Sequence, residues 1–124
     1  MTEHTIMRAI LEACNRGAVR LWRQNAGTAW QGEATQAIVG GEQVMVLRNY
    51  RRVELGEKNQ PDLIGWVQRD GVAVYTGVEV KSPGKKPRKG QLEVLEAINR
   101  AGGIGIWTTG VEDALEQLSI KKPR

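Results

Sequence analysis

Asp62 follows Pro61 and opens a short apolar run, and Glu79, Val80 and Lys81 close the next one. The two runs, residues 63–67 and 72–81, are separated by Asp70-Gly71, a strong hairpin signal. Period-two geometry puts Glu79 and Lys81 on one face of their strand and turns Val80 toward the core. An aspartate at the start of the partner strand comes close to that pair. Two carboxylates converging without a histidine suit a hard, oxygen-loving ion such as Mg²⁺ or Mn²⁺. A lysine two residues from one carboxylate can orient or deprotonate a water, or neutralise charge on a phosphate. The Val80 carbonyl lies between them as a further oxygen ligand. Taken alone, a Glu-x-Lys triplet also fits a cross-strand ion pair on a surface strand. Two features favour chemistry. Asp62 sits between a proline and an apolar strand, a poor place for an incidental carboxylate, and a basic Pro/Gly/Lys loop at residues 82–90 follows Lys81 directly.

Composition removes several competing chemistries. The single cysteine, Cys14, has no partner for an internal disulfide, and one cysteine with one histidine cannot build a structural zinc site. His4 lies in the first few residues, which disfavours serine–histidine and cysteine–histidine catalysis. With 124 residues, 40% hydrophobic and 26% charged, the chain reads as one globular domain over 1–120 with a basic tail at 121–124. No apolar run approaches the ~20 residues needed to span a bilayer, and the polar start Met1-Thr2-Glu3-His4 is unlike a secretory signal, so a cytoplasmic location is expected.

The net charge is +4, and its distribution is uneven. Three acid-free segments (48–52, 85–89 and 121–124) hold ten of the eighteen lysines and arginines in fourteen positions. The rest of the chain carries eight basic residues against fourteen acidic ones. An acidic body with basic loops fits a polyanionic partner, although any one such loop also serves solubility. Arg48, Arg51 and Arg52 around Tyr50, and Lys85, Lys86, Arg88 and Lys89, are the phosphate-contact candidates.

The elements that must position these residues follow from periodicity. Ile6, Ile10, Ala13 and Cys14 mark a helix that stops at Asn15-Arg16-Gly17. Residues 18–22 read as extended. Residues 27–41 are poorly patterned and predict a loop plus a short strand; Gly40-Gly41 is a hairpin turn into a strand at 43–47, and 49–60 reads as a connection. After the basic loop, Leu92, Leu95 and Ile98 form a helical stripe that ends at Gly102-Gly103. A strand at 104–107 and a last helix with Val111, Ala114, Leu115 and Leu118 inward complete an α/β layer with one mixed sheet. Trp22, Trp66 and Trp107, embedded in strands, are expected in the core or an interface. Trp30, in a loop, is the base-contact candidate. Cys14 is expected to fill core space.

Together these segments resemble the PD-(D/E)xK nuclease superfamily, and within it the virus-type replication-repair nuclease (VRR-NUC) family. The matching residues are Pro61-Asp62-Leu63-Ile64-Gly65, then Val78-Glu79-Val80-Lys81-Ser82-Pro83-Gly84, then Gln91 and Ala101-Gly102-Gly103, with Leu21-Trp22-Arg23-Gln24-Asn25-Ala26-Gly27 upstream. Residues 27–60 match least, and Gln60 stands where the family often has glycine. The resemblance implies a restriction-endonuclease-like core in the order α-β-β-β-α-β-α and a metal-dependent DNA endonuclease. Asp62 and Glu79 would be ligands, Lys81 would stand beside the attacking water, and Gln91 would be the motif glutamine. The family tends to add a glutamate from the first helix; Glu3 matches that pattern better than Glu12, which reads as a solvated helix carboxylate.

Small stand-alone members resemble Holliday-junction resolvases working as homodimers, which implies Mg²⁺-dependent cutting of branched DNA in a bacterial or phage-infected cell. Two other readings remain: a nicking or restriction-like enzyme, and a non-catalytic DNA-binding module. A homodimer also follows from the segments 36–39 and 43–47, which would form an apolar hairpin at a sheet edge and place Val44 and Val46 at or near the interface.

Overall fold

The computed structural model describes residues 1–119, so the basic tail expected at 121–124 lies outside the described residues. Along the chain run α1 (Glu3–Cys14), β1 (Val19–Arg23), β2 (Gly27–Val39), β3 (Glu42–Leu55), β4 (Leu63–Arg69), β5 (Val72–Val80), α2 (Lys89–Arg100), β6 (Ile104–Thr108) and α3 (Val111–Gln117). They form two compact units, one built from residues up to Gln24 and from Asn59 onward, the other from Asn25 to Lys58.

The first unit is a mixed four-stranded sheet in the order β1-β4-β5-β6, flanked by helices; its own elements follow the expected α-β-β-β-α-β-α order. Strands β1, β4 and β5 are antiparallel, and β6 pairs parallel to β5 after the α2 crossover. Helix α1 begins at Thr2, whose hydroxyl accepts the Thr5 N–H at 3.2 Å. Its buried stripe is Ile6, Met7, Ile10 and Cys14. Asn15 then fixes the entry into β1: its amide donates to the Leu21 carbonyl at 2.9 Å and accepts the Leu21 N–H at 2.6 Å. Asn99 clasps Gly105 in the same way at the α2–β6 junction, at 2.9 and 2.7 Å. An asparagine near the ends of α1 and α2 therefore satisfies backbone groups of the following strand.

One sheet face carries Val19, Leu21, Leu63, Val67, Val78 and Val80, which join Ile6, Ile10, Ala114 and Leu115 in the core. The other face is covered by α2 at β5 and β6. Two glycines permit that approach: a Cβ on Gly77 would lie 2.7 Å from Pro61 Cγ and 3.0 Å from Ile98 Cδ1, and one on Gly105 would lie 2.4 Å from the Leu95 carbonyl oxygen. The buried stripe of α2 is Gln91 and Leu95, not the expected Leu92, which is exposed. The helix is rotated so that a polar side chain faces the sheet, for a reason that the site makes plain below. Helix α2 also begins two residues earlier than the loop ending at Gly90 implies, taking in Lys89 and Gly90.

The second unit is a single long hairpin, and it corrects the reading of residues 27–60. Strands β2 and β3 pair over almost their whole length, from Gly27 opposite Leu55 to Val39 opposite Glu42, with a register shift between Gln31 and Glu33. Gly40 and Gly41 do form the turn, both at positive φ (59° and 82°), which a two-residue primed turn requires. Residues 27–39 are strand rather than mostly loop, and the expected connection from 49 is strand as far as Leu55. Trp30 is therefore a strand residue. The alternation was hard to read because neither face of the hairpin is buried, so nothing enforces a strict apolar–polar period.

Candidate active site

Register brings the chemical residues together. Leu63 pairs with Val78, so Asp62, one position earlier, meets Glu79, one position later. The Asp62 carboxylate is held by the Val80 N–H, which donates to Oδ2 at 2.9 Å. The Asp62 carbonyl accepts the Gln24 N–H at 2.7 Å, fixing the backbone at the strand start. Lys81 is anchored through its own N–H to the Thr108 carbonyl at 2.9 Å, extending the β5–β6 pairing by one residue.

Glu79 is a carboxylate in the sheet's interior, 2% exposed. Its Oε1 receives the Gln91 Nε2–H at 3.1 Å and faces Lys81 Nζ at 3.4 Å. Burial pushes its pKa up, the Asp62 carboxylate beside it pushes the same way, and Lys81 pulls back; the result is about 7. Gln91 can play only one orientation here. Its Oε1 accepts the Arg88 N–H at 2.9 Å, one of the free donors at the α2 N-terminus, which leaves its NH₂ to donate to Glu79. The rotation of α2 that exposes Leu92 is what delivers this contact. Among the described residues, every buried side-chain nitrogen and oxygen has a hydrogen-bond partner.

Asp62, Glu79, Lys81 and Gln91 thus converge as the sequence predicts. Glu3 lies in the first turn of α1, half-buried, and Glu12 is exposed on the same helix. Among the described residues no three His, Cys, Asp or Glu side chains gather into a metal-holding group. Lys85, Lys86 and Arg88 are exposed on the loop between Lys81 and α2, with Lys89 in the first turn of α2, 3.9 Å from Glu93. Arg48, Arg51 and Arg52 lie on β3 in the other unit and do not share a face. Arg51 opposes Gln31 and donates to its side chain, whereas Arg52 opposes Trp30 on the other side and pairs with Glu54 at 2.7 Å. Cys14 is buried, and burial pushes its thiol up to about 11, which keeps it protonated at neutral pH.

Sequence reasoning places Trp22 and Trp66 in the core or an interface; both are substantially exposed on the single chain, edge to face at 5.7 Å, which rules out the core. The signal that identifies their side of the sheet is the alternation itself. In β1 the buried residues are Val19 and Leu21, so Trp22 belongs to the opposite face.

A mixed sheet with carboxylates from adjacent antiparallel strands, a lysine two residues on and helices on both sides defines a nuclease domain of the PD-(D/E)xK type, whose substrate is DNA. The chain belongs to the VRR-NUC family: the VRR-NUC domain model matches residues 2–110 of the 124. Among curated proteins and among solved structures, none matches the chain. Nuclease domains of this type generally use divalent metals. The donor set here fits such an ion, because Mg²⁺ is typically held by one or two carboxylates with waters and substrate phosphate completing the octahedron. A divalent cation would also relieve the repulsion that, with burial, raises Glu79.

Proposed function

We propose that this chain is a Mg²⁺- or Mn²⁺-dependent endonuclease that cuts branched DNA, four-way junctions above all, as a homodimer. The observation that carries the catalytic part is the buried Glu79, in contact with Asp62, Lys81 and Gln91. Asp62 and Glu79 would hold the ion, with the Val80 carbonyl as a third oxygen. When bound, the ion supplies charge neutralisation on the scissile phosphate and a more acidic water. The remaining roles fall to the chain's own groups. Lys81, paired with Glu79 at 3.4 Å, would orient the attacking water or offset phosphate charge. Gln91 locks the Glu79 side chain and ties it to the start of α2. The Val80 N–H holds one oxygen of Asp62, leaving the other for the ion. Lys85, Lys86, Arg88 and Lys89, on the segment that leaves the site, would grip backbone phosphates. On the hairpin, Arg48, Arg51 and Arg52 would add sequence-independent contacts.

The assembly rests on the hairpin. Its distal half exposes Ile38 (78%), Met45 (67%), Val39 and Val46, with Val44 half-buried. A two-stranded ribbon bearing such side chains is marginal alone, and a second copy would cover it. Two sites related by a two-fold axis would then serve paired cuts across a junction.

One panel of labelled duplex, flap, single-stranded and four-way DNA, incubated with Mg²⁺ and with EDTA, tests the proposal. Paired cuts in the four-way substrate, with Mg²⁺ alone, are the expected result. Nicked products only would favour a nicking or restriction-like enzyme, and binding without any cleavage would mark a non-catalytic module.

A further inference from the structure

The face of the sheet that carries Asp62 and Glu79 is covered by α2 over β5 and β6, and the register shows what stands on its β1–β4 half. Rows of residues cross this face. Asp62 and Glu79 form one row with Trp107, Trp22-Ile64-Gly77-Gly105 the next, and Arg20-Trp66-Tyr75 the one after. Successive rows are about 7 Å apart along the strands. Trp22 and Trp66 therefore stand one and two rows from the carboxylates, on the same face. They are 45% and 39% exposed, and Tyr75 beside Trp66 is 47% exposed. The two indole planes meet at 74°, so both cannot lie flat on the sheet and at least one ring stands away from it. Arg20, exposed in the row of Trp66 and Tyr75, has no ion-pair partner among the described residues.

Exposed aromatic rings that adjoin one another, as Trp22 and Trp66 do, mark an interaction site rather than scattered surface residues. We infer that Trp22, Trp66 and Tyr75 form a stacking platform for unpaired bases of the DNA strand leading into the Asp62–Glu79 site, with Arg20 on its phosphates. This rests on the nuclease reading and deepens it, by naming unpaired DNA beside the scissile bond as the preferred substrate. Two observations favour DNA over another occupant: the platform continues the face of the nuclease carboxylates, and its free charge is cationic. Flat aromatic faces accept any base, whereas a duplex keeps its bases stacked and unavailable.

The test measures binding in EDTA, where cleavage plays no part, by anisotropy of fluorescein-labelled oligodeoxythymidylate and of a blunt duplex. The Trp22→Leu and Trp66→Leu variants should each weaken oligodeoxythymidylate binding about tenfold while duplex binding moves by about twofold or less. Trp66→Phe, which restores a ring, should recover most of the loss. Tyr75→Leu carries the same expectation and decides the matter if circular dichroism shows that a tryptophan variant is unfolded. Unchanged oligodeoxythymidylate affinity, or equal losses on both ligands, would overturn the platform. So would a change from dimer to monomer by light scattering with DNA binding intact, which would make this face an interface between copies. A wild-type protein that binds oligodeoxythymidylate in this manner but cuts no DNA in Mg²⁺ would instead remove the nuclease reading and leave the platform standing.

Discussion

Strand β5 and the β2–β3 hairpin are built from the same kind of backbone and differ in what surrounds them. From Thr76 to Val80 every residue of β5 is buried: β4 and β6 pair on either side, the core that includes α1 and α3 lies on one face, and α2 covers the other. Each hairpin strand has one neighbour, and both of its faces meet solvent along most of its length. The same charged side chain therefore does different work in the two places. Glu79 is desolvated, so a neighbouring carboxylate and a lysine both change its proton affinity. The Arg52–Glu54 pair on the hairpin, more than half exposed on both sides, is worth at most about 1 kcal/mol. Burial concentrates electrostatics into chemistry, while exposure leaves it for contact with partners.

The largest expected effect would break the comparison at its strongest point. Asp62→Ala or Glu79→Ala should reduce cleavage in Mg²⁺ by about a thousandfold or more, with DNA binding retained or tightened as repulsion of phosphate is lost. Either variant cutting near the wild-type rate would show that the buried carboxylates are structural.

Next comes pH. Because the folded protein raises Glu79 above its unfolded value, it keeps a proton there over a window in which the unfolded chain has released it. Stability without divalent ions is therefore full below pH ~4.5 and declines as pH rises through about 7, by up to about 3 kcal/mol. Melting in EDTA at pH 5 and pH 8 checks this, and Glu79→Gln should flatten the difference. Mg²⁺ should restore the loss at pH 8, since binding favours the ionised carboxylate. A melting temperature independent of pH in both proteins would mean that Glu79 is not desolvated in solution.

A smaller effect concerns the basic loop between β5 and α2. Neutralising Lys85, Lys86, Arg88 and Lys89 should weaken binding to every DNA shape and lower the log–log salt slope by about 0.9 per lost phosphate contact. An unchanged slope would assign these residues to solubility alone.

The smallest change in fold stability belongs to the hairpin. Ile38→Asn and Met45→Lys should alter the melting of the monomer by about 0.5 kcal/mol or less, because little of either side chain is buried. Light scattering should nonetheless report a shift from dimer to monomer, and four-way DNA should then be nicked rather than cut in pairs. Unaltered mass would place the dimer contact elsewhere.

Much of the first unit was legible without coordinates. The helical stripe ending at Cys14, the Asp70-Gly71 turn and the alternation through Glu79 are local patterns. A two-residue turn sets the strand register, so the meeting of Asp62 with Glu79 followed from residue types and spacing alone. The glutamine of the family motif was also visible at Gln91, although the stripe of apolar residues pointed to Leu92 as the inward side chain. Which of the two faces the sheet depended on a carboxylate twelve residues away in sequence and on the Arg88 N–H that orients the amide.

The hairpin escapes simple alternation for a physical reason: a strand shows a clear period only where one face is dry and the other wet. Residues 27–55 have no such asymmetry, so they looked like loop and connection although the backbone pairs almost throughout. The tryptophans of β1 and β4 illustrate the converse. Their alternation assigned them to a face, and only the placement of α2 over β5 and β6, permitted by the missing side chains of Gly77 and Gly105, left that part of the face open to solvent. Local sequence encodes which way a side chain points; whether anything covers it depends on elements far along the chain.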